Sequence, residues 1–279
     1  TISAYMKRII LGASGMLGHM VCFHLKRKLP EIISCSRSTT NKDWLNRSLT
    51  IIPEYSKEHI SDLIERYRPC KVINCVAITD INADFKESYL INSELPLFLA
   101  KTLDQKKDGS QLIQISTNGV FSGKRGNYIE SDIPDATDSY AQSKLKGEIV
   151  HSPHLTIRAS IIGTELKSKK GLLEWFLNQE KDVNGYTEEK WNGVTTLEFA
   201  KFINWAIDQK LSGLVHFFSK TISKKELLNI IKEVYEKKIE INPESTVKSD
   251  RTLSTKRSDI NYITQSHREM LVELKRNFI

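Results

Sequence analysis

The 279-residue sequence predicts an α/β fold, a doubly wound parallel sheet with a smaller, mixed C-terminal lobe. Three observations point there. Short apolar runs of strand character alternate with stretches whose apolar residues recur at helical spacing, as in a parallel sheet covered on both faces. A glycine-rich turn joins the first such run to the first helical stretch. After about residue 165 the alternation weakens and helical stretches dominate, which marks a second unit.

In order, Lys7-Arg8-Ile9-Ile10-Leu11 reads as the first strand. The helix after it places Leu17, Met20, Val21 and Leu25 on one face, and Pro30 ends it. A second strand is expected at 32–36, then a helix around 60–67 closed near Pro69. Strand 71–77, helix 92–103, strand 111–117, helix 140–150 and strand 155–159 follow, then helices at 172–179, 197–210 and 224–237. The expected units are a dinucleotide-binding domain at 6–165 and a substrate-binding lobe at 166–279, with parts interleaved. Residues 1–5, ahead of Met6, are read as a cloning remnant outside the fold.

Hydrophobic residues make up 39% of the chain, enough for a sizeable core. No run approaches the roughly 18 apolar residues that span a bilayer. Charged Lys7 and Arg8 precede only a short apolar run, unlike a signal peptide, so the cytoplasm is the expected compartment. Cys22, Cys35, Cys70 and Cys75 form no Cys-x-x-Cys pair and read as free thiols. The net charge of +7 could steer an anionic substrate. Its modest clusters at 167–170 and 220–225 lack interleaved aromatics, so they read as solvated surface and no nucleic acid is expected.

Gly12, Gly15 and Gly18 lie in the turn between the first strand and helix. Glycine allows a tight turn and close backbone approach to a pyrophosphate, and the helix N-terminus offers free N–H groups. The spacing is Gly-x-x-Gly-x-x-Gly, and its strand–turn–helix setting is the one a Rossmann-like dinucleotide site needs. Gly12, Ser14, Gly15, Met16, Leu17 and Gly18 are therefore candidate cofactor contacts. The second strand ends in Ser36-Arg37-Ser38, without the carboxylate that would accept from an NAD ribose. Arg37 suits a 2′-phosphate, so NADP is expected, with NAD the alternative.

Tyr140 and Lys144 stand four apart, neighbours on one helix face. An ammonium favours phenolate and lowers a tyrosine pKa, and such a pair can give a proton to a carbonyl oxygen. The glycine loop, the segments 72–79, 116–123 and 140–148, Arg158-Ala159-Ser160 with Gly163, and Trp191-Asn192-Gly193-Val194-Thr195-Thr196 occur in one order. In these segments the chain resembles the extended short-chain dehydrogenase/reductase superfamily, and within it the dTDP-4-dehydrorhamnose reductase branch. The resemblance spans most of 7–210 and fades beyond, with a last echo at Asp250-Arg251-Thr252-Leu253.

That resemblance implies roles. Tyr140 would be the general acid, Thr117 would polarise the substrate carbonyl, and Lys144 would hold the nicotinamide ribose and lower the tyrosine pKa. Ala77, Thr79, Ala159 and Ser160 would lie along the cofactor, and Asn118, Trp191 and Arg251 near the substrate. Asn92 fits a structural asparagine or a cofactor contact equally well. The branch usually reads Ser-Thr-Asp-Tyr-Val-Phe where this chain has Asn118 and Gly119 at the third and fourth places, which leaves the sugar open.

The implied activity is NADPH-dependent reduction of a 4-keto nucleotide-deoxysugar by a monomer or homodimer. A same-superfamily epimerase or dehydratase, or a non-catalytic regulatory subunit like that of methionine adenosyltransferase, are the alternatives. No metal is expected: the branch's acidic features are hard to find, and His151 and His154 beside Pro153 read as solvated loop histidines. Trp175 and Trp205 read as core, and Lys167, Lys169 and Lys170 as solvated.

Overall fold

The computed structural model describes residues 7–29, 31–80 and 82–278. The reading of residues 1–5 as a remnant, a first unit starting at Met6, Pro30 as a helix stop and a second unit ending at Ile279 lie outside the described residues.

The first half runs β1 (Arg8–Leu11), α1 (Gly18–Lys26), β2 (Ile32–Ser36), α2 (Asp43–Asn46), β3 (Leu49–Ile51), α3 (Lys57–Tyr67), β4 (Lys71–Asn74), α4 (Phe85–Tyr89), a π turn (Leu90–Glu94), α5 (Leu95–Gln105), β5 (Gln111–Thr117), α6 (Ser139–Lys146) and β6 (Leu155–Ala159). The second runs β7 (Ile161–Ile162), α7 (Leu172–Leu177), β8 (Val183–Tyr186), β9 (Glu189–Trp191), β10 (Val194–Thr195), α8 (Thr196–Asp208), β11 (Gly213–His216), β12 (Ile222–Ser223), α9 (Lys224–Val234), β13 (Ile241–Glu244), β14 (Ser249–Asp250) and α10 (His267–Phe278).

Seven strands form one sheet in the order β11-β6-β5-β4-β1-β2-β3, and every pairing is parallel. Their side chains alternate between two buried faces. Ile9, Leu11, Val72 and Leu112 pack with Leu63 of α3 and Leu99 of α5. Ile10, Ile73, Ile113 and Ile157 pack with Met20 of α1 and Phe199 of α8. Burial on both faces explains why these strands read as continuous apolar runs. The strand order reverses between β1 and β4, and ligands of such sheets bind outside the carboxyl ends at that reversal.

Strand 71–77 stops at Asn74, whose Oδ1 accepts from the Val76 N–H at 3.2 Å and bends the chain. Helix 140–150 ends at Lys146 with Gly147 as its cap, packed so closely that a Cβ there would lie 1.9 Å from the Asn92 carbonyl oxygen. Helix 92–103 is the last part of a longer run through α4 and the π turn. In the second half β11 completes the main sheet and α8 packs on α1. The short strands there form three small sheets, β10-β7, β12-β9-β14 and β13-β8, so helices do not dominate it as expected. None of these strands exceeds four residues, too short for alternation to show in the sequence. Among the described residues, no helix is long and apolar enough to cross a membrane.

Candidate active site

The chain leaves β1 through Gly12, whose φ of +76° only glycine adopts without strain. A Cβ there would meet the Cys75–Val76 backbone at 3.0 Å, and one at Gly18 would lie 2.0 Å from the Gly12 carbonyl oxygen. Backbone, not side chain, therefore floors a groove of about 250 Å³ at the carboxyl edge of the sheet. Gly12, Ser14, Gly15 and Met16 line it, with Arg37 and Ser38 from beyond β2, Ala77 from beyond β4 and Lys167 from beyond β7. The buried Ser36 hydroxyl donates to Ser14 Oγ at 2.6 Å and ties β2 to the glycine loop. Main-chain donors, a helix N-terminus and no obstructing Cβ fit a dinucleotide pyrophosphate.

Other predicted contacts differ. Leu17 turns its side chain into the core, and Gly18 serves the close packing of α1 on the loop. Thr79 is exposed and does not line the groove. Ala159 is buried at the end of β6. Ser160 next to it accepts the indole N–H of Trp191 at 2.8 Å. Trp191 is itself 3% exposed, so it supports Ser160 from beneath and does not line a substrate wall. Asn92 holds the 78 loop through Ile78 N–H and carbonyl and donates to Ser143 Oγ at 3.0 Å, a structural role.

Thr117 ends β5, and α6 carries Tyr140 and Lys144. Asp138 caps α6 by accepting from the Ala141 N–H at 2.8 Å, which fixes where the helix begins. The Thr117 hydroxyl accepts from the Gly119 N–H at 2.9 Å, and Thr117 and Tyr140 both border Gly119. Lys144, 3% exposed, donates from Nζ to the Ile115 carbonyl at 2.7 Å. Thr117 and Tyr140 therefore lie together at the end of β5, and Lys144 is tied to the same strand two residues before Thr117. Burial raises the Tyr140 pKa above its ordinary value, opposed by the neighbouring Thr117 hydroxyl. Burial pulls Lys144 down to about 8, opposed by the Glu148 carboxylate. The expected lowering of the phenol pKa by Lys144 is not found: desolvation dominates Tyr140, and Lys144 is turned to Ile115.

A buried ion pair braces this arrangement. Arg158 grips Glu148 through Nε at 2.8 Å and Nη2 at 2.7 Å, and Ser116 Oγ donates to Glu148 Oε1 at 2.6 Å. The Ile115–Ser116 link thus holds Lys144 by its carbonyl and Glu148 by its side chain. Nothing in the sequence pattern singled out Glu148 or Arg158 for this.

Two predicted substrate residues do meet. Asn118 Nδ2 donates to the Arg251 carbonyl at 3.0 Å, and a Cβ at Gly123 would lie 3.0 Å from Arg251 Cγ. A separate cleft of about 630 Å³ is lined by Trp175, Tyr186, Asn184, Glu189 and Lys224 among others. Trp175 is 40% exposed there and is not core; Trp205 packs on Phe202 and Tyr262 as core. Lys167 is exposed, as expected, and it also lines the glycine groove.

His154 is also corrected: it is fully buried. With His151 and Asp104 it forms a triad whose ligand atoms lie within 4.8 Å of one another. The Leu112 N–H donates to His154 Nδ1 at 3.0 Å, so Nε2 carries the proton and donates to Asp104 at 3.1 Å. A metal-bound imidazole needs an acceptor, not a donor, at its other nitrogen. The triad is a hydrogen-bonded clasp at the end of β5 away from Thr117.

A sequence profile described as RmlD substrate binding domain matches residues 6–258. The chain belongs to this family. A hypothetical dTDP-4-dehydrorhamnose reductase from Sulfolobus tokodaii shares the fold, with TM-score 0.79 and 26% identity over 93% of this chain and 96% of that one. Spore coat polysaccharide biosynthesis protein SpsK of Bacillus subtilis (strain 168) is 32% identical over 146 residues, 51% of this chain and 47% of that protein. Methionine adenosyltransferase 2 subunit beta of Danio rerio is 28% identical over 145 residues, 52% of this chain and 43% of that protein. The match covers about half the length of these curated relatives. RmlD-family membership and the seven-stranded parallel sheet agree with the expected superfamily and fold.

Proposed function

We propose that this protein is an NADPH-dependent reductase acting on a 4-keto nucleotide-deoxysugar. The observation that carries this is the placing of Thr117 and Tyr140 together at the carboxyl end of β5, with Lys144 anchored on the same strand, at the sheet edge that carries the glycine groove. NADPH, when bound, supplies hydride. The glycine loop would hold its pyrophosphate and Arg37 its 2′-phosphate. The likeness to the Sulfolobus tokodaii reductase supports the substrate class.

The residues divide the remaining work. The raised pKa keeps the Tyr140 phenol protonated at neutral pH, which suits a proton donor to the carbonyl oxygen. The Thr117 hydroxyl stands beside that phenol and can donate to the same oxygen. Lys144 places a charge against the cofactor ribose, fixed by the Ile115 carbonyl. Asn118 and Arg251 would border the sugar, and the cleft with Trp175, Tyr186 and Lys224 offers aromatic faces and a cation for the nucleotide.

The likeness to methionine adenosyltransferase 2 subunit beta favours a second reading, a cofactor-binding regulatory subunit. One assay separates them. Wild type and Tyr140→Phe are given a panel of 4-keto nucleotide sugars, with NADPH absorbance as readout. Turnover by wild type that Tyr140→Phe abolishes supports the reductase. NADPH binding without turnover on any sugar supports the regulatory subunit.

A further inference from the structure

We propose that Lys167, carried on the 164–171 segment, is the second cation of a clamp for the 2′-phosphate of the dinucleotide and sets the preference for NADP over NAD. This rests on the dinucleotide reading of the glycine groove. Arg37 and Ser38 follow directly on β2, where the adenosine ribose of a doubly wound fold lies. Arg37 is held over the Tyr55 ring, 5.9 Å from its centroid, on the same groove wall. From the other side of the groove, Lys167 Nζ reaches across to donate to Ser38 Oγ. Two chain segments 129 residues apart thus bring one cation each to the end of β2.

The segment that delivers Lys167 is a built structure. Glu165 Oε2 accepts from the Gly171 N–H and Oε1 from the Ser168 hydroxyl, both at 2.7 Å, which folds 165–171 into a closed turn. The Glu165 main-chain N–H donates to Glu174 of α7 at 3.1 Å. At its root, His19 joins the turn to the glycine loop: Nδ1 donates to the Gly15 carbonyl at 2.7 Å, and Nε2 lies 3.4 Å from Thr164 Oγ1. Among the described residues Glu165 is the one carboxylate on the groove wall, and both its oxygens are engaged within the turn. Charge matching follows. A phosphate monoester carries nearly two negative charges at neutral pH, and Arg37 with Lys167 supplies two positive ones. An unphosphorylated ribose offers these cations only neutral hydroxyls and no charge.

The test is calorimetric titration of the full chain with 2′,5′-ADP and with 5′-AMP, for wild type, Lys167→Ala, Lys167→Arg and Lys169→Ala. Lys167→Ala should weaken 2′,5′-ADP roughly tenfold, the loss of one charge-assisted hydrogen bond, and leave 5′-AMP unchanged. Lys167→Arg should restore the preference, and Lys169→Ala should not disturb it. Equal weakening of both nucleotides by Lys167→Ala, or no weakening, overturns the clamp. So does a wild type that binds 5′-AMP as tightly as 2′,5′-ADP, which leaves the dinucleotide reading standing. A wild type that binds neither mononucleotide nor NADPH overturns the clamp together with that reading.

Discussion

Lys144 donates to the Ile115 carbonyl at 2.7 Å, so its ammonium is placed by the strand that ends in Thr117. Because burial draws its pKa down to about 8, its charge is lost as pH rises through that value. The reductive kcat/KM should therefore fall on the alkaline side with an apparent pKa near 8. Lys144→Arg keeps a charge at every accessible pH, so any activity it retains should lack that limb. A limb that stays near 8 in Lys144→Arg assigns it to another group.

Glu148 opposes the effect of burial on Lys144 and is paired with Arg158. Replacing Arg158 by Met leaves a buried carboxylate without its partner, which costs about 3–5 kcal/mol. Urea unfolding should show that loss. A destabilisation within the noise of the measurement would mean that the pair contributes nothing net.

Gly18→Ala sets a methyl 2.0 Å from the Gly12 carbonyl, and the obstacle is backbone. Overpacking of this kind costs about 1–3 kcal/mol, and here the glycine loop itself must shift. NADPH affinity should drop with the melting temperature. Unchanged NADPH binding in this variant contradicts the close approach of α1 to the loop.

Burial lowers the His19 pKa from 6.5 to about 4. The unfolded chain takes up this proton first as the pH falls, so the contribution is full above 6.5 and is lost between 6.5 and about 4. Its size is roughly 3 kcal/mol. His19→Gln should flatten the stability curve across that window. Some slope should remain, since burial also lowers His24 to about 4. Identical curves for the variant and wild type would rule His19 out as the source.

Arg251 is exposed beside Asn118. Arg251→Ala should raise the KM for the nucleotide sugar about tenfold with NADPH affinity unaltered. Equal loss in both would place Arg251 in support of the fold and not of the sugar.

Much of this was legible in the chain because each signal lay within one short segment. The glycine loop, strands 32–36, 111–117 and 155–159, and the Tyr140–Lys144 spacing are all local. What stayed hidden depends on partners far along the chain. His154 looks like loop until the Leu112 N–H and Asp104 arrive from other elements. Lys167 is exposed as read, but its place on the groove shows only once Ser38 is beside it. Trp191 looks like a ligand wall until Ser160 takes its N–H. The direction of the Tyr140 shift was missed because burial is a property of the assembled site and spacing is not.

The parallel sheet of seven strands closes on Gly213–His216, which pairs with Leu155–Arg158. Everything between them, the Lys167 turn and the α8 layer included, is synthesised first. A ribosome must therefore deliver α7, β8 to β10 and α8 before the edge of β6 is covered. An interrupted chain would carry that edge bare, with the unpaired amides that invite other strands. The stretch between β6 and β11 is thus a condition for finishing the sheet.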